Sequence, residues 1–126
     1  MYGIRTDILK KENIRFNAVT FMEDMHVALS LLERGYTTGM ITQYAWGQAR
    51  ASGAAGGCSS YRNFETQKTA AIKLAELHHP FVKVVKRKSR EKDGWVRSVG
   101  EYRFDVRVNW QEAALSGQKR LQRKLF

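Results

Sequence analysis

The sequence has little of what marks a secreted or membrane-embedded protein. Its 126 residues include one cysteine, Cys58, so no disulfide bond can form within the chain. Charged side chains interrupt residues 2–16, so we expect no secretory signal peptide there. No run approaches the ~20 consecutive apolar residues that a helix needs to cross a bilayer. These absences predict a soluble, cytoplasmic protein with no membrane partner.

Proline is also scarce, since Pro80 is the only one, and the chain has no low-complexity tract. Hydrophobic residues make up 43% of the sequence, a fraction typical of globular proteins that bury a core. The length suits one folded domain. We expect an N-terminal extension over residues 1–16, a folded domain over residues 17–109, and a basic C-terminal helix or tail over residues 110–126.

Acidic residues are few beside the basic ones. Asp and Glu total 12 whereas Lys and Arg total 22, which gives a formal net charge of +10 and a pI of about 10.1. Folding needs no such excess, and repulsion between the cations opposes compaction. The excess therefore favours a polyanionic partner, and nucleic acid before any other. A basic surface of the ribosomal type, or one that only keeps the protein in solution, is the alternative.

Three segments carry patterns typical of helices. Residues 17–34 place apolar side chains at helical spacing, and residues 39–50 have an apolar side preceded by threonines that can cap them. Residues 63–77 form the third segment, with Asn63 as the capping residue. Residues 51–60 are rich in Gly and other small residues, which predicts a loop, and they lack the Lys and the spacing of a P-loop.

Two β-rich runs follow the third helix. Residues 81–85 are mostly apolar, and residues 102–108 alternate aromatic or valine side chains with Arg and Asp, which predicts a hairpin with one buried face. The connection begins with the basic turn 86–94 and is longer than a hairpin needs to close. Residues 110–126 predict a last helix that docks on the body or on a second copy, although Gly117 disfavours a helix there.

The order helix, helix, helix, strand, basic loop, strand resembles the winged helix-turn-helix superfamily over residues 18–108. Asn63, Thr66 and the run 70–74 resemble its recognition-helix pattern, and residues 101–104 resemble the return strand of its wing. The resemblance implies an α+β fold with a three-helix core, a C-terminal β-hairpin wing and a terminal helix. It also implies a duplex DNA-binding regulator of transcription or replication, often a homodimer, similar in size to small phage- or plasmid-encoded regulators.

The predicted DNA-binding residues fall into two groups. Residues at the start of the third helix have side chains that can read base edges or position the duplex, and they are Arg62, Asn63, Thr66, Lys68 and Thr69. Residues of the basic hairpin connection are expected to contact phosphates, and they are Lys86, Arg87, Lys88, Arg90, Lys92 and Arg97. We expect both groups to lie on the same side of the molecule and to face the polyanion together.

Groups suited to catalysis or metal binding are sparse. His78 and His79 are adjacent, but no Cys or further His lies at a ligand spacing, and Cys58 has no His nearby in sequence. The acidic residues are scattered and form no paired-carboxylate motif. These features predict a protein that is not an enzyme and has no metal or other cofactor. His26 is expected at the surface or its boundary.

Two other functions fit the same scaffold. The first is a small inhibitor or adaptor that binds a protein partner, such as a phage-encoded anti-defence protein that occupies the nucleic-acid channel of a larger machine. The second is a protein that binds structured RNA. Nuclease-resistant association with a protein would favour the first, and competition by structured RNA against duplex DNA would favour the second.

Overall fold

The computed structural model describes residues 4–39, 61–89, 100 and 102–126. Within these ranges the protein is a mixed α+β fold, with four α-helices and a two-stranded antiparallel sheet. The elements in chain order are α1 (Thr6–Lys11), α2 (Glu23–Glu33), α3 (Phe64–Leu77), β1 (Val82–Lys88), β2 (Tyr102–Val108) and α4 (Trp110–Leu125). The helix predicted over residues 39–50 falls outside the described residues, apart from Gly39.

The first predicted helix begins later than its apolar spacing indicates. A short 3₁₀ turn covers Phe16–Ala18, and α2 starts only at Glu23. Phe21 has a φ of 64°, a left-handed conformation that interrupts a right-handed helix. Its ring is nevertheless buried and stacks on Tyr61 at a centroid distance of 5.2 Å. Packing of this irregular segment into the core therefore overrides the local helical pattern.

The N-terminal extension lies on the body over its described residues. Leu9 of α1 and Ile14 after it are buried in a small cluster with Val27 of α2. The Tyr36 hydroxyl donates a hydrogen bond to Glu12 at 2.8 Å, which raises the pKa of Tyr36. The described part of the extension therefore contains a short helix that packs on the core. Among the described residues no helix has the length and apolarity to cross a membrane.

The main core lies between α2, α3, the hairpin and the start of α4. Leu29 and Leu74 are fully buried at its centre, together with Val82 and Val106 from the two strands. The strands pair from Val82 opposite Val108 to Lys88 opposite Tyr102, which confirms the predicted hairpin. Lys86, Arg87 and Lys88 belong to β1, so the prediction that the turn starts at residue 86 placed its start too early.

α4 lies against α2, and two glycines permit the close approach. Gly117 does not interrupt α4, and a Cβ at this position would overlap the carbonyl oxygen of Leu32. Gly35 follows α2 with a φ of 88°, a conformation that favours glycine, and Leu121 packs directly against it. Ala113 is fully buried one turn before Gly117. The predicted terminal helix is confirmed, and Gly117 is the residue that lets it dock.

The expectation that His26 lies at the surface or its boundary is wrong. His26 is 8% exposed, and its Nδ1 lies 2.8 Å from Nε2 of His78, which is 3% exposed. Each buried ring nitrogen in this contact has a hydrogen-bonding partner, which offsets the cost of burying it. Because the two residues are 52 positions apart, the local sequence pattern around each of them gives no sign of the contact.

The substitution Gly117→Ala tests the contact between α4 and α2. On an exposed helix, alanine is more favourable than glycine by about 1 kcal/mol. At this site the added methyl group must push α4 away from α2, and such overpacking costs about 1–3 kcal/mol. We expect Gly117→Ala to lower the urea midpoint of unfolding measured by circular dichroism. Ser116→Ala, at the exposed neighbouring position, should not lower it. A Gly117→Ala midpoint at or above wild type would refute the close packing.

Candidate nucleic-acid interface

The start of α3 is fixed by a reciprocal pair of hydrogen bonds. The Asn63 side chain accepts from the backbone N–H of Thr66, and the Thr66 hydroxyl accepts from the backbone N–H of Asn63, both at 2.9 Å. Such a capping box satisfies two N–H groups that the first turn of a helix leaves without partners. These two predicted base-reading side chains therefore use their oxygen atoms to begin the helix.

Arg62, the third predicted base-reading residue in this segment, is turned toward the protein. Its guanidinium lies over the ring of Phe21 at 4.9 Å, and Nη2 donates to the Phe21 carbonyl oxygen at 3.4 Å. Its Nε atom is buried and has no hydrogen-bond partner among the residues that the structure describes. Arg62 thus fastens the start of α3 to the segment that precedes α2. Asn63 and Thr69 are exposed, and Thr66 and Lys68 are half-buried. Lys68 and Thr69 take no part in capping the helix.

Three aromatic rings join the amino-terminal turn of α3 to β2. Phe64 lies 5.7 Å from Phe104 and 6.3 Å from Tyr102 between ring centroids, and Tyr102 meets Phe104 edge-on at 6.3 Å. Tilted and edge-to-face arrangements of this kind are the favoured geometries of aromatic pairs. The contact places the hairpin strands beside the beginning of α3.

Two lysines cover these rings from different elements. Lys86 of β1 holds its Nζ 3.5 Å from the Tyr102 ring centroid, and Lys68 of α3 holds its Nζ 5.4 Å from that of Phe104. Both distances are within the range of cation–π attraction. We call Phe64, Lys68, Lys86, Tyr102 and Phe104 the lysine–aromatic cluster. It brings one cation of each predicted group to the same face of the molecule.

The pairing register of β1 with β2 shows on which face of the sheet the other described basic residues of the hairpin lie. Lys88 pairs opposite Tyr102, so it shares the face of Lys86. Arg87 lies on the reverse face, where its Nε is 3.4 Å from the Asp105 carboxylate. Arg90, Lys92 and Arg97 fall outside the described residues.

Arg103 is a residue that sequence analysis missed. The alternation in β2 predicts an outward side chain, yet Arg103 is 4% exposed. Its Nη1 donates to the Lys88 carbonyl oxygen at 2.9 Å, and its Nη2 lies 3.8 Å from Asp105. The sequence does hold a signal, because Arg103 and Asp105 are two positions apart in a strand and so share a face. Arg103 therefore joins the end of β1 to the beginning of β2.

In the part of the chain that the structure describes, no three His, Cys, Asp or Glu side chains are grouped so that they could hold a metal ion. Comparison with protein-family models, with curated proteins and with solved structures finds no match.

Substitution of Asn63 tests its role as the cap of α3. Asn63→Ala removes the acceptor for the Thr66 N–H and should destabilise the protein by about 0.5–2 kcal/mol. Asn63→Ser keeps a capping oxygen and should retain most of the stability. Urea unfolding followed by circular dichroism measures both changes. Equal destabilisation by Ala and Ser would show that Asn63 does not act as a cap.

Proposed function

We propose that the protein binds double-stranded DNA in a sequence-specific manner and regulates transcription or replication. In this proposal the α+β fold is a winged helix-turn-helix, with α3 as the recognition helix and the hairpin as the wing. The observation that carries the proposal is the meeting of Lys68 and Lys86 on one aromatic cluster. A duplex that lies along α3 would meet cations from the helix and from the hairpin at the same time.

The rings favour phosphate binding because they restrict the lysine side chains before the ligand arrives. A free lysine loses up to ~2 kcal/mol of side-chain entropy when it is immobilised, and one that already lies over a ring loses less. Each ammonium has three N–H donors, so contact with a ring leaves donors for phosphate oxygens. The net charge of +10 adds a long-range attraction for any polyanion.

Base reading is proposed for the outward side of α3 near its amino end. Thr69 is exposed one position after Lys68, and a threonine methyl group can contact the methyl group of thymine in the major groove. Arg62, Asn63 and Thr66 take a supporting role, because their contacts fix where α3 begins and how it lies against Phe21. This division assigns base reading and positioning, the two roles expected of the five residues, to different members of the group.

Neutralising the two lysines of the cluster tests phosphate binding. Lys68→Gln combined with Lys86→Gln should weaken binding to every duplex, and the slope of log K against log salt should become shallower by about 1.8, which is about 0.9 for each lost phosphate contact. Fluorescence anisotropy with a labelled duplex at several salt concentrations measures this. Lys83→Gln is the matched control, since Lys83 is an exposed lysine on the opposite face of the same strand. An unchanged slope in the double variant, or an equal change in the control, would contradict the proposed surface.

Selection from random duplexes tests sequence specificity. The wild-type protein should enrich a defined motif, and Thr69→Ala should relax the preference at one position of it while the salt slope stays the same. Competition with single-stranded DNA and with structured RNA at equal salt belongs to the same series. Selection without enrichment, or stronger binding to structured RNA than to duplex, would reject sequence-specific duplex binding.

A further inference from the structure

Three buried or half-buried side chains form a continuous hydrogen-bonded chain between α2 and the end of α3. The His78 Nδ1 atom lies 2.6 Å from Glu33 Oε1, and the His78 Nε2 atom lies 2.8 Å from His26 Nδ1. His78 directly follows α3, and its carbonyl oxygen accepts from the N–H groups of Phe81 and Val82 at 2.8 and 3.2 Å. The same residue therefore joins α3 to α2 and shapes the entry into β1.

The number of protons that this chain can hold follows from its hydrogen bonds. A carboxylate only accepts, so the contact with Glu33 requires a proton on Nδ1 of His78. The bond between the two rings requires one N–H and one lone pair. When both rings are neutral, His26 donates to His78. When His78 carries an added proton, it donates to His26 instead. The chain thus stays connected with no added proton or with one.

A second added proton breaks the chain. With both rings charged, Nδ1 of His26 and Nε2 of His78 each carry a hydrogen, and neither can accept across the 2.8 Å contact. Two positive rings would also be held together away from water, where like charges repel strongly. The single carboxylate of Glu33 contacts His78 and can offset only one of the two charges.

Most of the influences on His26 lower its pKa. Burial lowers the pKa of His26, the charge of His78 from the end of α3 lowers it further, and Arg34 just after α2 also lowers it. Glu33 on α2 acts the other way but does not reverse the shift. The folded protein therefore resists the charging of His26.

We propose that the Glu33–His78–His26 chain is an acid-sensitive latch, closed with at most one added proton and opened by the second. Opening separates the end of α3 and the entry to β1 from α2. The proposal concerns the folded protein alone and stands whether or not the protein binds DNA.

The latch predicts how stability depends on pH. In the unfolded chain both histidines have ordinary pKa values of ~6.5, so both gain protons as the pH falls. Because the folded pKa of His26 is lowered, the unfolded state binds more protons just below pH ~6.5. Stability is therefore complete above that pH and is lost as the pH falls toward the folded value. The folding equilibrium constant should fall by up to ~10-fold per pH unit in that window.

Urea unfolding between pH 7.5 and pH 5 tests the latch with a matched pair of variants. His26→Asn places an amide near the position of Nδ1 that can donate to or accept from His78 and cannot become charged. Its folding constant should change by less than a third of the wild-type change over this range. His79→Gln removes the exposed histidine next to His78 and should keep the wild-type profile. Equal pH profiles for wild type and His26→Asn would overturn the proposal.

A second measurement needs no variant. The chain has only 3 histidines, so the ¹⁵N signals of every imidazole can be followed by NMR while the protein remains folded. We expect at most one of His26 and His78 to become an imidazolium before the folded signals disappear. Two imidazolium rings in the folded protein would overturn the latch even if the variants failed to fold.

Discussion

The contact of Phe64 with Tyr102 and Phe104 determines how the rest of the candidate surface is arranged. It holds the amino-terminal turn of α3 against β2, and β1 follows through its pairing with β2. Aromatic pairs of this kind contribute about 0.5–1.5 kcal/mol each beyond the area they bury. The core contacts of Leu74 with Val82 and Val106 hold the same helix on the same hairpin, and the aromatic rings set where Lys68 and Lys86 meet.

α3 is held at both ends by interactions that differ in chemistry. At its start, the reciprocal bonds of Asn63 and Thr66 satisfy the backbone, and Arg62 rests on Phe21. Beyond its end, His78 is bonded to side chains of α2. Between these points, Ala71 and Leu74 are fully buried in the core. A helix fixed in this way can present its outward side chains in a constant direction, which is what a surface for duplex recognition requires.

The parts of the fold that sequence predicts well are those with a local cause. Asn63 followed by apolar residues at helical spacing predicts α3, because capping and amphipathicity both operate within a few residues. The alternation from residue 102 to residue 108 predicts β2 for the same reason, and it also places Phe104 on the face toward α3. The lysine–aromatic cluster forms only when α3 and the hairpin pack together. Local sequence patterns place its residues on their elements but do not predict that these residues contact one another.

The features that sequence missed depend on distant contacts. Phe21 has a left-handed backbone conformation and its ring packs on Tyr61, which is far along the chain. Gly117 lies against a carbonyl group of α2. His26 looks like a surface residue until His78 is placed beside it. Arg62, one of the predicted DNA-binding residues, is a further example of a side chain placed by a distant contact. An arginine side chain can bind guanine, but the contact with Phe21 turns the Arg62 guanidinium toward the protein.

Backbone NMR of the isotopically labelled protein, titrated with a duplex, is the most direct test of the central claim. The account predicts that the largest shifts of amide signals occur at Lys68, Thr69, Lys86 and Tyr102, with small shifts along α1 and α4. Shifts concentrated on the basic end of α4, residues 119–124, with none at the lysine–aromatic cluster, would contradict it.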